Sequence, residues 1–556
     1  MEKKRIIALI DMDCFYVQVE QRLQPHLYGK PVAVVQHSSA NYRGGGLLAV
    51  SYEARSFGIK RGMFGEQAKA LCPDLTLCYV PVGEHIDKAD ITRYRDASAE
   101  VFKVLHEFDS RIVVERASVD EAYLDLSALV QHIFETTNPS VKYMEPNAVD
   151  LFPTTHVADG ADLNEDKIPD WKYDRVESLH SFISEAYETQ DEYKLKLIIG
   201  ADVIEQIRSA IKKNTAFNCS AGIGSSKMIA KLVCSRHKPG QQTVVFNEAI
   251  PKVFEYTPIN EVRNLGGKLG RALVEKFDVK TMGELSQISM SDLSECFPAQ
   301  AKWIYNIARG IDEEKVTARD KQSSVAVSKN FPGPNALKTD GDVKFWLEGL
   351  IKELVKRLID DQITNIRTAS TLHIGCTTNV HLTRSMQMKT YDPKALFNSI
   401  WATFRHINKS KIPETWDPSV KNITLSADRF REGIDGRSKQ ITEWVTTAIN
   451  RAVNSVTDAS TSADTKNSAM PSEKVTKTSS QTSINVHHSE RKVHEQDDDI
   501  QIIFDVRKER KSTSTTTTTT STALHSKTIA KKRKKREVPE KSSVPIRKIS
   551  DFFKKQ

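Results

Sequence analysis

Two apolar segments, far apart in the chain, each deliver carboxylates where a buried strand would end. Ile6-Ile7-Ala8-Leu9-Ile10 runs into Asp11-Met12-Asp13, and Ala117-Ser118-Val119-Asp120-Glu121-Ala122-Tyr123-Leu124 holds two adjacent acids in a largely apolar setting. The first run is short, β-branched and bounded by acids, which predicts a strand buried on both faces. A carboxylate there loses hydration and needs compensating positive charge. Carboxylates gathered in one partly buried place repel each other, and hard divalent cations with oxygen ligands are the usual resolution. Asp120 and Glu121 add a geometric condition. Neighbours on a regular strand point to opposite faces. The pair can share a site only across an irregularity, so a break in the strand is expected there. The same acids also suit a plainer role as caps, turn residues or surface charges, and spacing alone does not separate the readings.

The rest of the pattern predicts an α+β chain of several domains, because 556 residues exceed what one hydrophobic core accommodates. Phe15–Arg22 reads as a helix. Ile91, Tyr94, Ser98, Val101, Leu105 and Phe108 follow helical spacing, and Val343–Leu358 is another amphipathic helix. Ala122–Leu126 alternates like a half-buried strand. Residues 136–190 carry Pro139, Pro146, Pro153, Pro169 and many acids, and read as an irregular insertion with a short helix near Val176–Tyr187. From about residue 450 the chain turns polar and repetitive, and a disordered tail is expected over 450–556.

Composition narrows the function classes. No run long and apolar enough to cross a membrane is evident, and Met1–Asp13 has no secretory pattern. Seven cysteines, none in CxxC pairs, read as reduced thiols of an intracellular protein rather than a zinc module. The net charge of +8 is misleading: residues 527–556 hold twelve Lys/Arg and three Asp/Glu, or +9, so the remainder is 8 − 9 = −1. Any nucleic-acid argument for the folded part must therefore be local. One such region is 320–432, with seventeen Lys/Arg against twelve Asp/Glu. Gly44-Gly45-Gly46 precedes no GxxxxGK[ST] pattern, so it reads as a turn, not a phosphate loop.

Longer motifs surround both acidic segments. Asp11-Met12-Asp13-Cys14-Phe15-Tyr16 with Val17-Gln18-Val19-Glu20, then Ala49-Val50-Ser51-Tyr52-Glu53-Ala54-Arg55, then Ser118–Tyr123, together resemble a Y-family translesion DNA polymerase over residues 5 to about 435. The resemblance implies a right-handed architecture. The palm would be 1–16 and 88–249 (136–190 inserted), the fingers 17–87, the thumb 250–315, and the little finger 320–440. It implies that Asp11, Asp120 and Glu121, with the Met12 carbonyl, hold two Mg²⁺ ions, Mn²⁺ being a possible substitute. The backbone near Cys14, Phe15 and Tyr16 would meet the triphosphate of a dNTP. Tyr16 would also be the gate that leaves no room for a 2′-hydroxyl, with Phe15 the more core-like ring. Tyr52, Arg55 and Lys231 would bind the triphosphate, Lys227 being an alternative one turn away. Gln36 and Arg61 match positions that line the nascent base pair in one branch of the family, and Gly62 would leave room on the template side.

Val262–Gly270 reads as the hairpin of a helix-hairpin-helix, with Gly266, Gly267, Lys268 and Gly270 approaching a DNA phosphate; an ordinary helix C-cap is the alternative. Lys329, Arg367, Arg384 and Lys389 are candidate contacts to primer-template DNA. In the tail, Lys531–Arg536 predicts nuclear import, with non-specific DNA contact second. Ile549, Phe552 and Phe553 keep the anchor spacing of a sliding-clamp box, although Ile546 stands where that motif has Gln. A ubiquitin-binding zinc finger has no cysteines to form it here. Asp497–Ile503 is a β-prone stretch that a ubiquitin-like partner such as SUMO could take up, or a chance apolar patch. Two other classes remain open: a palm-fold nucleotide cyclase or phosphodiesterase, and a non-catalytic clamp scaffold.

Overall fold

A computed structural model describes residues 4–36, 45–83, 88–137, 142–143, 148–159, 174–318 and 321–434. Gly44 and every tail motif, including Lys531–Arg536, Asp497–Ile503, Ile549, Phe552 and Phe553, lie outside those residues.

The centre is a six-stranded sheet. Its strands are β1 (Ile7–Met12), β5 (Val113–Arg116), β6 (Glu121–Asp125), β7 (Thr155–Val157), β8 (Cys219–Gly224) and β9 (Gln242–Val244), in the order β5-β6-β1-β8-β9-β7. β1 pairs antiparallel with β6 on one side and β8 on the other. A strand so placed is covered on both faces, which is why its sequence is continuously apolar. Ala8, Ile10 and Met12 enter one core, whereas Ile7 and Leu9 join Tyr123, Ala230 and Cys234 in a smaller cluster. Burial relaxes first at Asp11.

The first core is closed by the helices Thr92–Phe108, Arg175–Glu188 and Glu192–Thr215. In the last of these, Gly200 passes so close to the sheet that a Cβ there would lie 2.8 Å from Ile6 Cγ2. The opposite face is covered by the helix Lys227–Cys234, whose cap Ser226 accepts from the Ile229 amide at 3.3 Å.

Two expectations need correction. β6 does not alternate: Ala122, Tyr123 and Leu124 are all buried, because cores lie on both sides of the sheet. Residues 136–190 are not merely an irregular insertion. Thr155–Val157 completes the edge of the central sheet, and Arg175–Glu188 buries Leu179, Phe182, Ile183, Ala186 and Tyr187. The expected short helix is there, longer than the sequence suggests.

A smaller sheet is formed by β2 (Val32–Val35), β3 (Leu47–Val50) and β4 (Thr76–Tyr79), ordered β3-β2-β4, with its own core around Ala33, Val35, Leu47 and Leu75. Residues 250–307 are helical and enclose Val253, Leu265, Leu273, Leu285 and Ile304. The last region has a sheet of β10 (Ser324–Asn330), β12 (Arg367–Thr377), β13 (His381–Gln387) and β15 (Asn422–Glu432), ordered β10-β15-β12-β13. β11 (Leu337–Thr339) and β14 (Thr415–Val420) pair separately. The helices Asp340–Asn365 and Pro393–Phe404 supply its core through Val343, Leu347, Leu350, Ile351, Leu354, Leu396 and Ile400. The expected helix Val343–Leu358 is thus the middle of a longer one, started by the Thr339 side chain accepting from the Asp342 amide at 3.0 Å.

No helix of the described residues is long and apolar enough to cross a membrane, and all seven cysteines are free thiols. Lys227 is fully buried and its ammonium bonds both Glu115 oxygens, at 2.8 and 2.9 Å, and Glu314 at 2.7 Å. Removing one member of a buried ion pair leaves the other charge uncompensated. Lys227→Met is therefore expected to lower unfolding free energy by about 3 kcal/mol in urea denaturation, more than an exposed lysine substitution would.

Candidate active site

The pairing of β1 with β6 sets Asp11 directly opposite Glu121. Asp120 precedes the strand in the bend Ser118–Asp120, its carbonyl accepting from the Met12 amide at 2.9 Å. Ser118 fixes that bend: its hydroxyl donates to Asp120 Oδ1 at 2.5 Å and accepts from the Asp120 amide at 3.2 Å. The irregularity that the acid pair requires is present, and three carboxylates stand at adjoining strand ends.

Two ammonium groups enter this cluster. Lys238 Nζ is 2.5 Å from Asp11 Oδ1 and 3.6 Å from Asp13 Oδ1. Lys231 pairs with Glu121 Oε1 and stands 3.8 Å from Asp11 Oδ2. Burial pushes the Glu121 carboxyl up and Lys231 opposes it, while Asp11 and Asp120 add to the rise. For Lys238, burial acts downward, but Asp11, Cys234 and Asp13 outweigh it and hold the ammonium above its ordinary range. Among the described residues, no three His, Cys, Asp or Glu side chains converge closely enough to ligate one ion as they stand. The donors are nevertheless hard carboxylate oxygens, and two cationic groups already sit against them. That chemistry fits divalent cations.

Asp13 has another role. It is buried, and its oxygens accept from Ser220 Oγ at 2.8 and 3.0 Å, Tyr52 OH at 3.1 Å and the Gly240 amide at 2.8 Å. With its lone pairs engaged, it is a tie between β1, β8 and the Tyr52 helix. Cys14 follows in a left-handed conformation, φ 37°, which turns the chain from β1 into the helix Phe15–Leu23. Phe15 goes into the core edge-on to Phe217, ring centroids 5.5 Å apart. Tyr16 instead faces the cleft and stacks on Tyr94 at 4.0 Å. Tyr94 is anchored by its hydroxyl to Glu20 Oε1 at 2.7 Å.

A cleft of about 860 Å³ opens above the acids. Its walls bring together Asp11, Met12, Cys14, Tyr16, Tyr52, Arg55, Arg61, Asp120, Glu121 and Lys238. Tyr52 and Arg55 ride on one short helix started by Ser51, and the Arg55 guanidinium lies 4.5 Å from the Tyr52 ring centroid. Gly62, beside Arg61, has φ +88°, a conformation that favours glycine. Gln36 is exposed and outside the cleft lining. Lys231 meets the carboxylates rather than the cleft wall, and Lys227 is buried behind the sheet, so it is no substitute for Lys231. Lys238 has no signal in the sequence, because its partner Asp11 lies 227 residues earlier in the chain.

At the hairpin, Gly267 caps the helix Lys268–Phe277. A Cβ on Gly270 would lie 1.7 Å from the Leu265 carbonyl, and one on Gly266 3.0 Å from that of Asn260. The glycines thus let this helix close on the preceding turn. Of the residues expected to touch DNA, Arg367 is buried, bonded to both Asp361 oxygens at 2.8 and 2.7 Å and stacked on Phe430. It is a structural cation, not a surface contact. Lys329 lies over the Trp346 ring at 4.8 Å, and Arg384 is half-buried.

The family model described as impB/mucB/samB matches residues 10–235, and the one described as DNApol eta/Rev1, HhH motif, matches residues 257–311. Residues 10–235 thus match the Y-family (impB/mucB/samB) domain. Similar relatives include the DNA polymerase eta of Arabidopsis thaliana, 42% identical over 66% of the chain and 52% of the relative. That of Drosophila melanogaster is 33% identical over 78% and 50%. The DNA polymerase IV of Neisseria meningitidis is 26% identical over 66% of the chain and 90% of the relative. The chain spans about half the length of the first two.

His237, next to Lys238, offers a test of how dry this wall is. It stacks on His156 at 3.7 Å and shares a hydrogen bond with Thr243 Oγ1 at 2.9 Å. Burial first, then Arg236, pushes its imidazole from 6.5 down to about 4. A depressed histidine favours the folded state fully above pH 6.5, and that contribution is lost as pH falls towards 4, because only the unfolded chain takes up the proton. Between pH 7 and pH 4 the protein should lose about 3 kcal/mol more stability than His237→Gln, read by urea denaturation at each pH.

Proposed function

We propose that this protein extends DNA primers across damaged template bases, pyrimidine dimers among them, by nucleotidyl transfer from dNTPs. The observation that carries the reading is the cluster of Asp11, Asp120 and Glu121 under a cleft walled by Tyr16, Tyr52, Arg55, Arg61 and Lys238. The family match and the relatives named DNA polymerase eta support it.

In this reading residues 1–16 and 88–249 are the palm, the strand Thr155–Val157 included. Residues 17–87 are the fingers, 250–315 the thumb and 320–440 the little finger. Divalent cations, Mg²⁺ or Mn²⁺, would be held by Asp11, Asp120, Glu121 and the Met12 carbonyl, and when bound would activate the attacking oxygen and neutralise the leaving phosphate. The primer 3′-hydroxyl gives up its proton to solvent, its oxygen bonds to the α-phosphorus of the dNTP, the bond to the bridging oxygen breaks, and pyrophosphate leaves. Positioning and charge neutralisation are what such a transfer needs from protein. Tyr52 and Arg55 supply directed donors for the triphosphate, and Lys238 and Lys231 point charges. Tyr16 excludes a 2′-hydroxyl by volume. The turn at Gly266–Gly270 grips duplex backbone, and the tail docks a sliding clamp through Ile549, Phe552 and Phe553 after nuclear import through Lys531–Arg536. A ubiquitin-like partner at Asp497–Ile503 stays a subsidiary proposal. A cyclase on a palm-like core would have no use for a polymerase helix-hairpin-helix.

Purified protein given a primed template with a thymine dimer, Mg²⁺ and four dNTPs should extend past the lesion. No extension of an undamaged primer would defeat the polymerase reading, and a stall at the dimer would defeat the lesion assignment. Asp120→Ala should remove at least about 1000-fold of the rate while sparing DNA binding in fluorescence anisotropy. Tyr16→Ala should admit ribonucleotides; unchanged sugar discrimination would exclude Tyr16 as the gate.

A further inference from the structure

A chain of charges runs from the hairpin to the catalytic strands, and its middle member, Glu314, lies outside both matched ranges, 10–235 and 257–311. On one side, Arg263 of the hairpin approach holds both Glu314 oxygens, NH2 at 3.2 Å from Oε1 and NH1 on Oε2. On the other, Lys227 Nζ is 2.7 Å from Glu314 Oε1. Lys227 passes the contact on to both oxygens of Glu115, which also accepts from the Thr317 amide at 2.9 Å.

Both ends of this chain reach elements that carry the site. Glu115 on β5 pairs in register with Tyr123 on β6, two residues past Glu121. Lys227 opens the helix that also bears Lys231, the partner of Glu121. The Tyr123 ring receives Lys227 Nζ at 4.9 Å and the Arg263 guanidinium at 5.8 Å. The connector around Glu314 is pinned as well: Arg5 donates to the carbonyls of Asp312 at 2.6 Å and Glu314 at 2.8 Å.

An isolated surface ion pair would add little. Here one end is buried, with Lys227 and Glu115 side chains 1% and 4% exposed, so the geometry is fixed from the inside. Arg263 foremost, against burial and with Lys227 helping, holds the Glu314 carboxyl down to about 2, so it is charged at any working pH.

We propose that Glu314 is a positioning residue: it ties Arg263 at the hairpin to the strand and helix that carry Glu121 and Lys231, and so sets where a gripped primer end meets the carboxylates. This rests on the polymerase reading. Glu314 itself is 40% exposed, so its removal strands no charge wholly in the interior except through Lys227, which keeps Glu115.

The test is steady-state primer extension at saturating primer-template by the full chain. A small displacement of reacting groups is costly, so Glu314→Ala should lower kcat about 10-fold or more while leaving the dNTP KM within about twofold. Arg263→Ala should give a similar fall, the double variant little more, since both break one link, and Glu314→Asp should recover part of the rate. Thermal unfolding of each variant ensures that rates are read on folded protein. A kcat for Glu314→Ala within about twofold of wild type, a loss confined to the dNTP KM, or losses that multiply in the double variant would each overturn the inference. If the wild-type protein does not extend primers, the polymerase reading falls and this inference with it; if it does and the variants match it, only the inference falls.

Discussion

The antiparallel register between β1 and β6 is the constraint on which the rest depends. A slip of one residue would turn Asp11 away from Glu121 and send the apolar residues of β1 to the wrong faces. The register is held by what it buries. Ala8, Ile10 and Met12 fill one core, and Ile7 and Leu9 another, so a slip would exchange side chains of different volume between two packed cores. The carboxylates are therefore aligned by hydrophobic packing several residues away from them.

Electrostatics then makes the alignment tolerable. Asp13 is saturated by hydroxyl and amide donors, whereas Asp11 and Glu121 meet lysine ammonium groups from the helix Lys227–Cys234 and the loop after it. These two solutions differ in kind. Hydroxyl and amide donors, with Lys238 Nζ at 3.6 Å, hold Asp13 as part of the frame. Lysine ammonium groups on Asp11 and Glu121 mark where cationic partners sit against these carboxylates.

Much of this was readable in the residues, and the unreadable part has a common cause. The strand at Ile6–Ile10, the break before Glu121 and the helix around Val343–Leu358 are local, set by periodicity and by where acids interrupt it. So is the grouping of Tyr52 with Arg55, one helical turn apart. Lys238, Lys227 and Arg367 were invisible or misread because their partners, Asp11, Glu115 and Asp361, are chosen by folding. A count of basic residues does not separate a buried, paired guanidinium from a solvated one. Thr155–Val157 failed for a different reason: three residues in a proline- and acid-rich context are too short for periodicity, and only pairing with β9 makes them a strand.

The stack of Tyr16 on Tyr94 carries a consequence of its own. Behind Tyr16 stands a second ring, itself bolted to Glu20, which is held in turn by Arg93. The face of Tyr16 that looks into the cleft therefore has no room to recoil. In the proposed role of Tyr16 as a gate, selection would come from stiffness, and the energy of rejecting a bulkier sugar would be stored in packing on the far side of the ring. On that proposal, the stiffness belongs to Tyr94 and Glu20 as much as to Tyr16 itself.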